Sequence, residues 1–295
     1  MECRLDSATT EMSLYTKYRE FRYRRRWRRS WHSSRMRAVY LGDNLLLAKI
    51  ASGKLMYLTA QDRSLTPSLI TSGRWERHIS MLMTRLIRRG HCVLDVGANF
   101  GYFSLMGADL VGPKGHVIAV EANPPLSELL FRNLEVNGHQ SNSTVHNVAV
   151  YSEAGEIQLQ VMKAHWGSSS ISGTNENAAQ WHDSVESVTI PAVTLDDLTA
   201  DRSVDVMKID IEGAEGHAFA AADKMMQKSP NIKIIMEFSP SMLGGEQPAR
   251  ELLNRLTGHG LRIHRIGSRG WLKEISIETA LESVSGTHAD LFLAR

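Results

Sequence analysis

Asp210 and Glu237 each end a short apolar run, Val204-Asp205-Val206-Met207-Lys208-Ile209-Asp210 and Ile232-Lys233-Ile234-Ile235-Met236-Glu237. Such runs read as buried strands of a parallel sheet, and ligands of open α/β sheets bind beyond the carboxyl ends of those strands. Two carboxylates at neighbouring strand ends therefore face one cleft. There Asp210 is the candidate general base for a substrate hydroxyl, and Asp210 with Glu237 is a candidate pair for Mg²⁺, which would orient substrate oxygens and lower a hydroxyl pKa. Glu212 is a third catalytic candidate. Glu212 and Glu215 suit equally well the ordinary role of capping the next helix, and Lys208 shares a strand face with Asp210, where it can pair with an acid.

A second constellation lies upstream. Val93-Leu94-Asp95-Val96-Gly97-Ala98-Asn99-Phe100-Gly101-Tyr102-Phe103 is an apolar strand that ends in a glycine turn and opens a helix, and Val117-Ile118-Ala119-Val120-Glu121-Ala122-Asn123-Pro124 is the next strand. Glu121 follows Asp95 by 26 positions, the distance at which a βαβ unit grips a ribose with an acid. A dinucleotide site would need three close glycines to meet a pyrophosphate, and a carboxylate at Asp95 would repel one. A cationic nucleoside such as S-adenosylmethionine fits better: its charges attract Asp95, while Gly97 and Gly101 let the chain approach the ligand. Phe100 and Tyr102 read as helix core that packs near this turn.

Length and composition suit one large core with an extension. The chain has 295 residues, 42% of them hydrophobic, and no apolar run approaches the ~18 residues of a membrane span. The first residues carry Glu2, Asp6 and Glu11 without an apolar stretch, so the expectation is a cytoplasmic protein with neither anchor nor secretory signal. Cys3 and Cys92 are the two cysteines, too few for a disulfide framework or a cysteine zinc site. His165, Trp166, Trp181 and His182 decorate a polar loop, but two histidines 17 positions apart lack the spacing of metal ligands. Trp166 suits stacking on a sugar ring.

Charge is unevenly placed. Residues 1–40 hold 11 Lys/Arg against 4 Asp/Glu, and the remainder holds 23 against 28. Between Lys17 and Arg37, Arg22, Arg24, Arg25, Arg26, Arg28 and Arg29 interleave with Tyr18, Phe21, Tyr23, Trp27 and Trp31. That mixture suits an anionic partner such as phosphate, RNA or a lipid surface, and equally a solvated helix whose aromatics cover the main domain.

The rest alternates strand and helix, which implies a doubly wound α/β sheet covered on both faces. Residues 38–90 read as N-terminal cap strands, at 39–47 and 55–58, plus a helix with Ile79, Leu82, Met83 and Leu86 on one face. From 91 come strands at 92–96, 116–121 and 145–150, with Pro124-Pro125 opening a helix that Gly138 ends. Strands at 156–161 and 187–193 flank the polar loop Gly167 to Asp183, a candidate lid. Thr194 with Asp197 reads as a capping box. A helix at 247–257 and strands at 261–266 and 289–294 close the chain.

The blocks Val93 to Phe103, Glu121-Ala122-Asn123-Pro124, Asn147-Val148-Ala149-Val150, Thr194-Leu195-Asp196-Asp197-Leu198, Lys208-Ile209-Asp210-Ile211-Glu212-Gly213-Ala214-Glu215 and Met236-Glu237 together resemble the FkbM family of S-adenosylmethionine-dependent methyltransferases. The resemblance runs from about Gly73 to the C-terminus and leaves residues 1–37 as a separate basic extension. It implies a class I methyltransferase (Rossmann-like) domain over 91–295: a seven-stranded sheet of order 3-2-1-4-5-7-6 with an antiparallel last strand at Asp290-Leu291-Phe292-Leu293. It also implies S-adenosylmethionine as cofactor. Asp95, Gly97, Ala98, Asn99 and Gly101 then take the methionine end, Glu121 the ribose, and Ala149 with Val150 the adenine, with Ala122 and Asn123 also among the cofactor-binding residues. The implied reaction is O-methylation of a hydroxyl-bearing small molecule or glycan: a sugar, glycolipid, polysaccharide or natural product. Two other readings stay open, an RNA ribose methyltransferase whose basic tail tracks phosphates and a non-catalytic module that binds the cofactor or RNA.

Overall fold

The computed structural model describes residues 38–169, 171, 184–284 and 288–295. The tail between Lys17 and Arg37, Trp181 and His182 lie outside them. The chain opens with three antiparallel strands, β1 (Ala38–Gly42), β2 (Leu45–Lys49) and β3 (Leu55–Thr59), in the order β1-β2-β3. Asp43 and Asn44, at φ 47° and 59°, make the tight turn between the first two, the left-handed pair that suits a two-residue hairpin loop. Helices α1 (Leu65–Ser72) and α2 (Arg77–Leu86) follow.

The core of the molecule is one mixed sheet. Its strands are β4 (Cys92–Val96), β5 (His116–Val120), β6 (Ser143–His146), β10 (Val206–Ile209), β11 (Lys233–Phe238), β12 (Arg262–Ile266), β13 (Leu272–Glu274) and β14 (Ala289–Ala294), in the order β13-β12-β14-β11-β10-β4-β5-β6. From β6 to β12 this is the expected 3-2-1-4-5-7-6 arrangement, and β14 is antiparallel to β11 and β12. The eighth strand, β13, is an addition: it pairs with β12 as a hairpin, and its three residues are all exposed, so no apolar alternation marks it in the sequence.

The expected strand at 145–150 divides. β6 ends at His146, and Ala149–Val150 form β7, which leaves the main sheet to pair with Ala192–Val193 of β9 (Val185–Val193). Asn147 fixes the bend, its Nδ2 donating to the carbonyls of Glu121 (2.8 Å) and Ala122 (3.0 Å). β9 also pairs with β8 (Gly155–Met162) as a long antiparallel hairpin.

Helices cover both faces. On one side α2, α3 (Tyr102–Val111), α4 (Pro124–Val136) and the N-terminal strands share a continuous core with Val93, Val117 and Ile235, so residues 38–90 pack into the same body as the sheet. Asn133 stitches the layers, donating to the carbonyls of Tyr57 and Phe100 and accepting from Tyr57 N–H. On the other side α5 (Leu195–Leu198), α6 (Glu215–Ala220), α7 (Asp223–Lys228), α8 (Glu246–Gly258) and α9 (Ile277–Glu282) bury Leu94, Met207, Ile234 and Leu291. The capping box is present: Asp197 N–H donates to Thr194 Oγ1 at 3.0 Å, and Asp197 Oδ2 accepts from Thr194 N–H.

Candidate active site

A cavity opens at the carboxyl ends of β4, β5, β10 and β11, where the sheet order changes direction. The first wall is the turn after β4. Gly97 lies at φ 78°, and a Cβ there would stand 1.8 Å from the Asp210 carbonyl oxygen, so only glycine lets the β4 and β10 loops pass. Asn99 also takes a left-handed conformation, φ 53°, and its Oδ1 accepts from Phe100 N–H at 2.8 Å. Gly97, Ala98 and Asn99 line the cavity, as do Tyr102 and Phe103, while Phe100 is sealed in the core.

Glu121 stands opposite. Its Oε2 accepts from Asn99 N–H at 2.7 Å and its Oε1 from Asn123 N–H at 2.9 Å. Burial pushes its pKa up to about 7, against the pull of those two bonds. The carboxylate is thus fixed in place at the end of β5 and lines the cavity with Ala122. Val148, Ala149, Val150 and Leu159 supply an apolar side, which suits the flat face of a nucleobase. A rigid acid beside an apolar slot and a close-passing glycine loop fits an adenosine-bearing cofactor.

Three expected ligand residues do not line this cavity. Asp95 is 1% exposed beneath the turn, where its Oδ2 accepts from Ser104 Oγ at 2.5 Å. It neighbours Lys208 across the β4–β10 pairing. Burial raises its pKa, opposed by Lys208 and Ser104. Its charge therefore acts from below the floor. Gly101, at φ 85°, serves packing, since a Cβ would lie 2.4 Å from Leu130 Cδ1. Asn123 is fully buried and holds Glu121 through its backbone N–H.

The other wall is acidic. Lys208, Asp210, Glu212 and Glu237 line it, joined by Glu76 from the start of α2. Lys208 is 5% exposed, with Nζ 2.8 Å from Asp210 Oδ2 and 5.0 Å from the Phe103 ring centre. Burial alone would lower its pKa, but Asp210, Glu76 and Asp95 together hold it above the usual lysine range. The carboxyls shift the other way. Burial and then the neighbouring Asp210 push Glu212 up to about 8 and Glu237 up to about 10, and burial lifts Glu76 to about 7. Glu215 faces inward, accepting from Ile211 N–H at 2.9 Å, so it has the loop-holding role.

This donor set does not support Mg²⁺. The Lys208 ammonium already engages Asp210, and among the described residues no group of three or more His, Cys, Asp or Glu side chains is placed to hold a metal ion.

Sequence reasoning did not single out Trp75 and Glu76, which line the cavity. Glu76 sits at φ 36°, a strained setting for a non-glycine residue of the kind that clusters at functional sites. The signal available was an acid just ahead of an amphipathic helix. Behind it, His78 Nε2 lies 2.5 Å from Asp290 Oδ2, and Asp290 pairs across β14 and β11 with Glu237. Trp166, Gly167, Ser169 and Ile171 also line the cavity; residues 170 and 172–183 of the loop expected as a lid lie outside the described residues.

The sequence profile of the methyltransferase FkbM domain matches residues 95–263. Over 85 residues the chain is 39% identical to a protein-L-isoaspartate O-methyltransferase of Methanopyrus kandleri, an alignment covering 27% of this chain and 38% of that protein. Over 60 residues it is 47% identical to the protein of the same name from Methanothrix thermoacetophila, covering 20% and 29%. The chain thus spans well under half the length of these relatives. Among solved structures, the Aeropyrum pernix fibrillarin with natively bound S-adenosyl-L-methionine aligns with a TM-score of 0.42 at 14% identity, covering 89% of this chain and 100% of that one. The Bacillus cereus O-methyltransferase in complex with SAH aligns at 0.41 and 14%, covering 81% and 84%. The profile match takes in more than half of the chain, including Glu121, Asp210, Glu212 and Glu237, and the chain belongs to the FkbM family of S-adenosylmethionine-dependent methyltransferases.

Proposed function

We propose that the protein is an S-adenosylmethionine-dependent O-methyltransferase acting on a hydroxyl of a sugar, glycolipid, polysaccharide or natural product in the cytoplasm. One observation carries this reading: the Asp210 carboxylate, tethered by Lys208, shares a cavity with Glu121 and the Gly97–Asn99 turn.

S-adenosylmethionine, when bound, supplies an electrophilic methyl group. Glu121 would hold the ribose hydroxyls, and the 97–99 turn the methionine end. As the acceptor oxygen takes the methyl, its proton must leave. Lys208 engages Oδ2 of Asp210, and we assign the second carboxylate oxygen to that proton. Glu237, protonated over the ordinary pH range, is suited to donate a hydrogen bond to the acceptor and Glu212 to hold a neighbouring hydroxyl. Trp166 offers a face on which a sugar ring can stack.

The test is transfer from labelled S-adenosylmethionine into extracts of source cells, followed by identification of the labelled species. Label in glycan, glycolipid or a hydroxylated small molecule supports the proposal. Label confined to RNA would replace it with the ribose reading, and tight cofactor binding without label in any fraction would replace it with a non-catalytic module.

A further inference from the structure

The hairpin that adds β13 to the sheet carries an exposed feature the cavity does not use. At its tip, Trp271 is 69% exposed, the highest value among the large apolar side chains described, and Leu272 beside it is 38% exposed. The tip is closed by backbone hydrogen bonds and packs on α2. Gly270 N–H donates to Gly267 O at 2.7 Å and Gly267 N–H to Trp271 O at 2.8 Å. Gly270 is buried against α2, where Arg85 Nη2 donates to its carbonyl and an added Cβ would lie 2.7 Å from His78 O. The Arg85 guanidinium stands 5.4 Å from the Trp271 ring centre.

The surroundings are cationic. Residues 261–273 contain four Arg/Lys and no Asp or Glu, and Arg265, Arg269 and Lys273 are exposed. β12 runs parallel to β11, so the tip stands at the same edge of the sheet as Glu237. β14 alone separates β12 from β11, a lateral distance of about 10 Å.

We propose that the Gly267–Leu272 hairpin tip is a docking element for an anionic lipid surface, with Trp271 and Leu272 entering the headgroup boundary and Arg265, Arg269 and Lys273 pairing with lipid phosphates and carboxylates. Tryptophan is favoured at that boundary because one end is apolar and the other polar, and a cationic collar adds attraction to anionic lipids. A nucleic acid would use the ring and the cations but gain nothing from Leu272, so the pair favours lipid. Docked this way, the carboxyl edge of the sheet, which lines the cavity, lies on the membrane side, and this would narrow the acceptor to a hydroxyl carried by an amphiphile. That narrowing rests on the O-methyltransferase reading; the docking itself does not.

The experiment is co-sedimentation of the full chain with vesicles of phosphatidylcholine mixed with phosphatidylserine, and with phosphatidylcholine alone. We expect binding to the mixed vesicles that weakens with salt, an approximately tenfold loss of partitioning for Trp271→Ser, and a flatter salt dependence for Arg269→Ser with Lys273→Ser. Every variant keeps the N-terminal tail, so differences report the hairpin alone. Unchanged cofactor affinity in calorimetry establishes that the variants are folded. Wild-type partitioning by Trp271→Ser, no vesicle binding by the intact chain, or an equal loss on poly(U) with mixed vesicles unbound would each overturn the proposal. Vesicle binding is read without methyl transfer, so a failed methylation assay leaves this result standing and condemns only the reaction.

Discussion

Lys208 Nζ lies 2.8 Å from Asp210 Oδ2, two residues along the same chain, while its strand position is opposite Asp95 on β4. One ammonium thus serves a buried acid below the cavity floor and a partly exposed acid above it. Removing it would strand both. Lys208→Met should destabilise the fold by about 3 kcal/mol or more, the usual cost of leaving a buried charge without its partner, read as a lowered urea midpoint at unchanged slope. A variant as stable as wild type would mean that Asp95 is already neutral and the pair adds nothing.

Glu237 should make the stability of the protein depend on pH. Its pKa rises from about 4.3 in an unfolded chain to about 10 in the fold, because burial and the nearby Asp210 and Glu212 disfavour its charge more than Lys208 favours it. A raised acid contributes stability that is full below the unfolded pKa and is lost as pH rises through the folded one. Tm should therefore fall between pH 6 and 9, and the fall should be shallower in Glu237→Gln. Parallel curves for the two proteins would show that Glu237 is ionised in the native state.

The sheet and the Gly97 and Glu121 side of the cavity were legible because they depend on local patterns. The apolar runs at 92–96 and 206–209, and the Gly97 turn between strand and helix, carry their geometry in their own residues. Asp95 was misplaced as a direct ligand because its chemistry was read without the pleat. On β4 it alternates with Leu94 and Val96 and points to the same face as Val93, so the Ser104 hydroxyl on α3 receives it. Glu76 left only a weak local signal, an acid just ahead of an amphipathic helix, and the His78–Asp290 pair left none. That pair joins residues 212 positions apart, and nothing in the local sequence marks a contact at that range. The Mg²⁺ expectation finds no support at Lys208: pairing with an acid is legible from the strand face it shares with Asp210, but that the acid is Asp210, and that the pair occupies the donor set, is not.

Glu121 offers a direct test of the cofactor assignment. Its carboxylate is held by two backbone N–H groups, so it is oriented before any ligand arrives. Glu121→Ala removes a charge-assisted hydrogen bond of about 1.5–3 kcal/mol, and S-adenosylmethionine affinity in calorimetry should fall at least tenfold. Equal affinity in the variant would move the ribose elsewhere.

Asp210 separates binding from chemistry. Asp210→Asn keeps the shape of the side chain and a contact to Lys208, yet the amide accepts no proton from an acceptor hydroxyl at neutral pH. The cofactor site proposed at Glu121 and Gly97 is untouched, so affinity for S-adenosylmethionine should stay within about twofold while turnover drops by a factor on the order of 10² or more. The residual rate should also rise with pH more steeply than in wild type, because solvent hydroxide then takes the proton that Asp210 no longer accepts. Normal turnover with a wild-type pH profile would assign Asp210 to holding Lys208 and leave the base to Glu212, which burial and Asp210 push up to about 8.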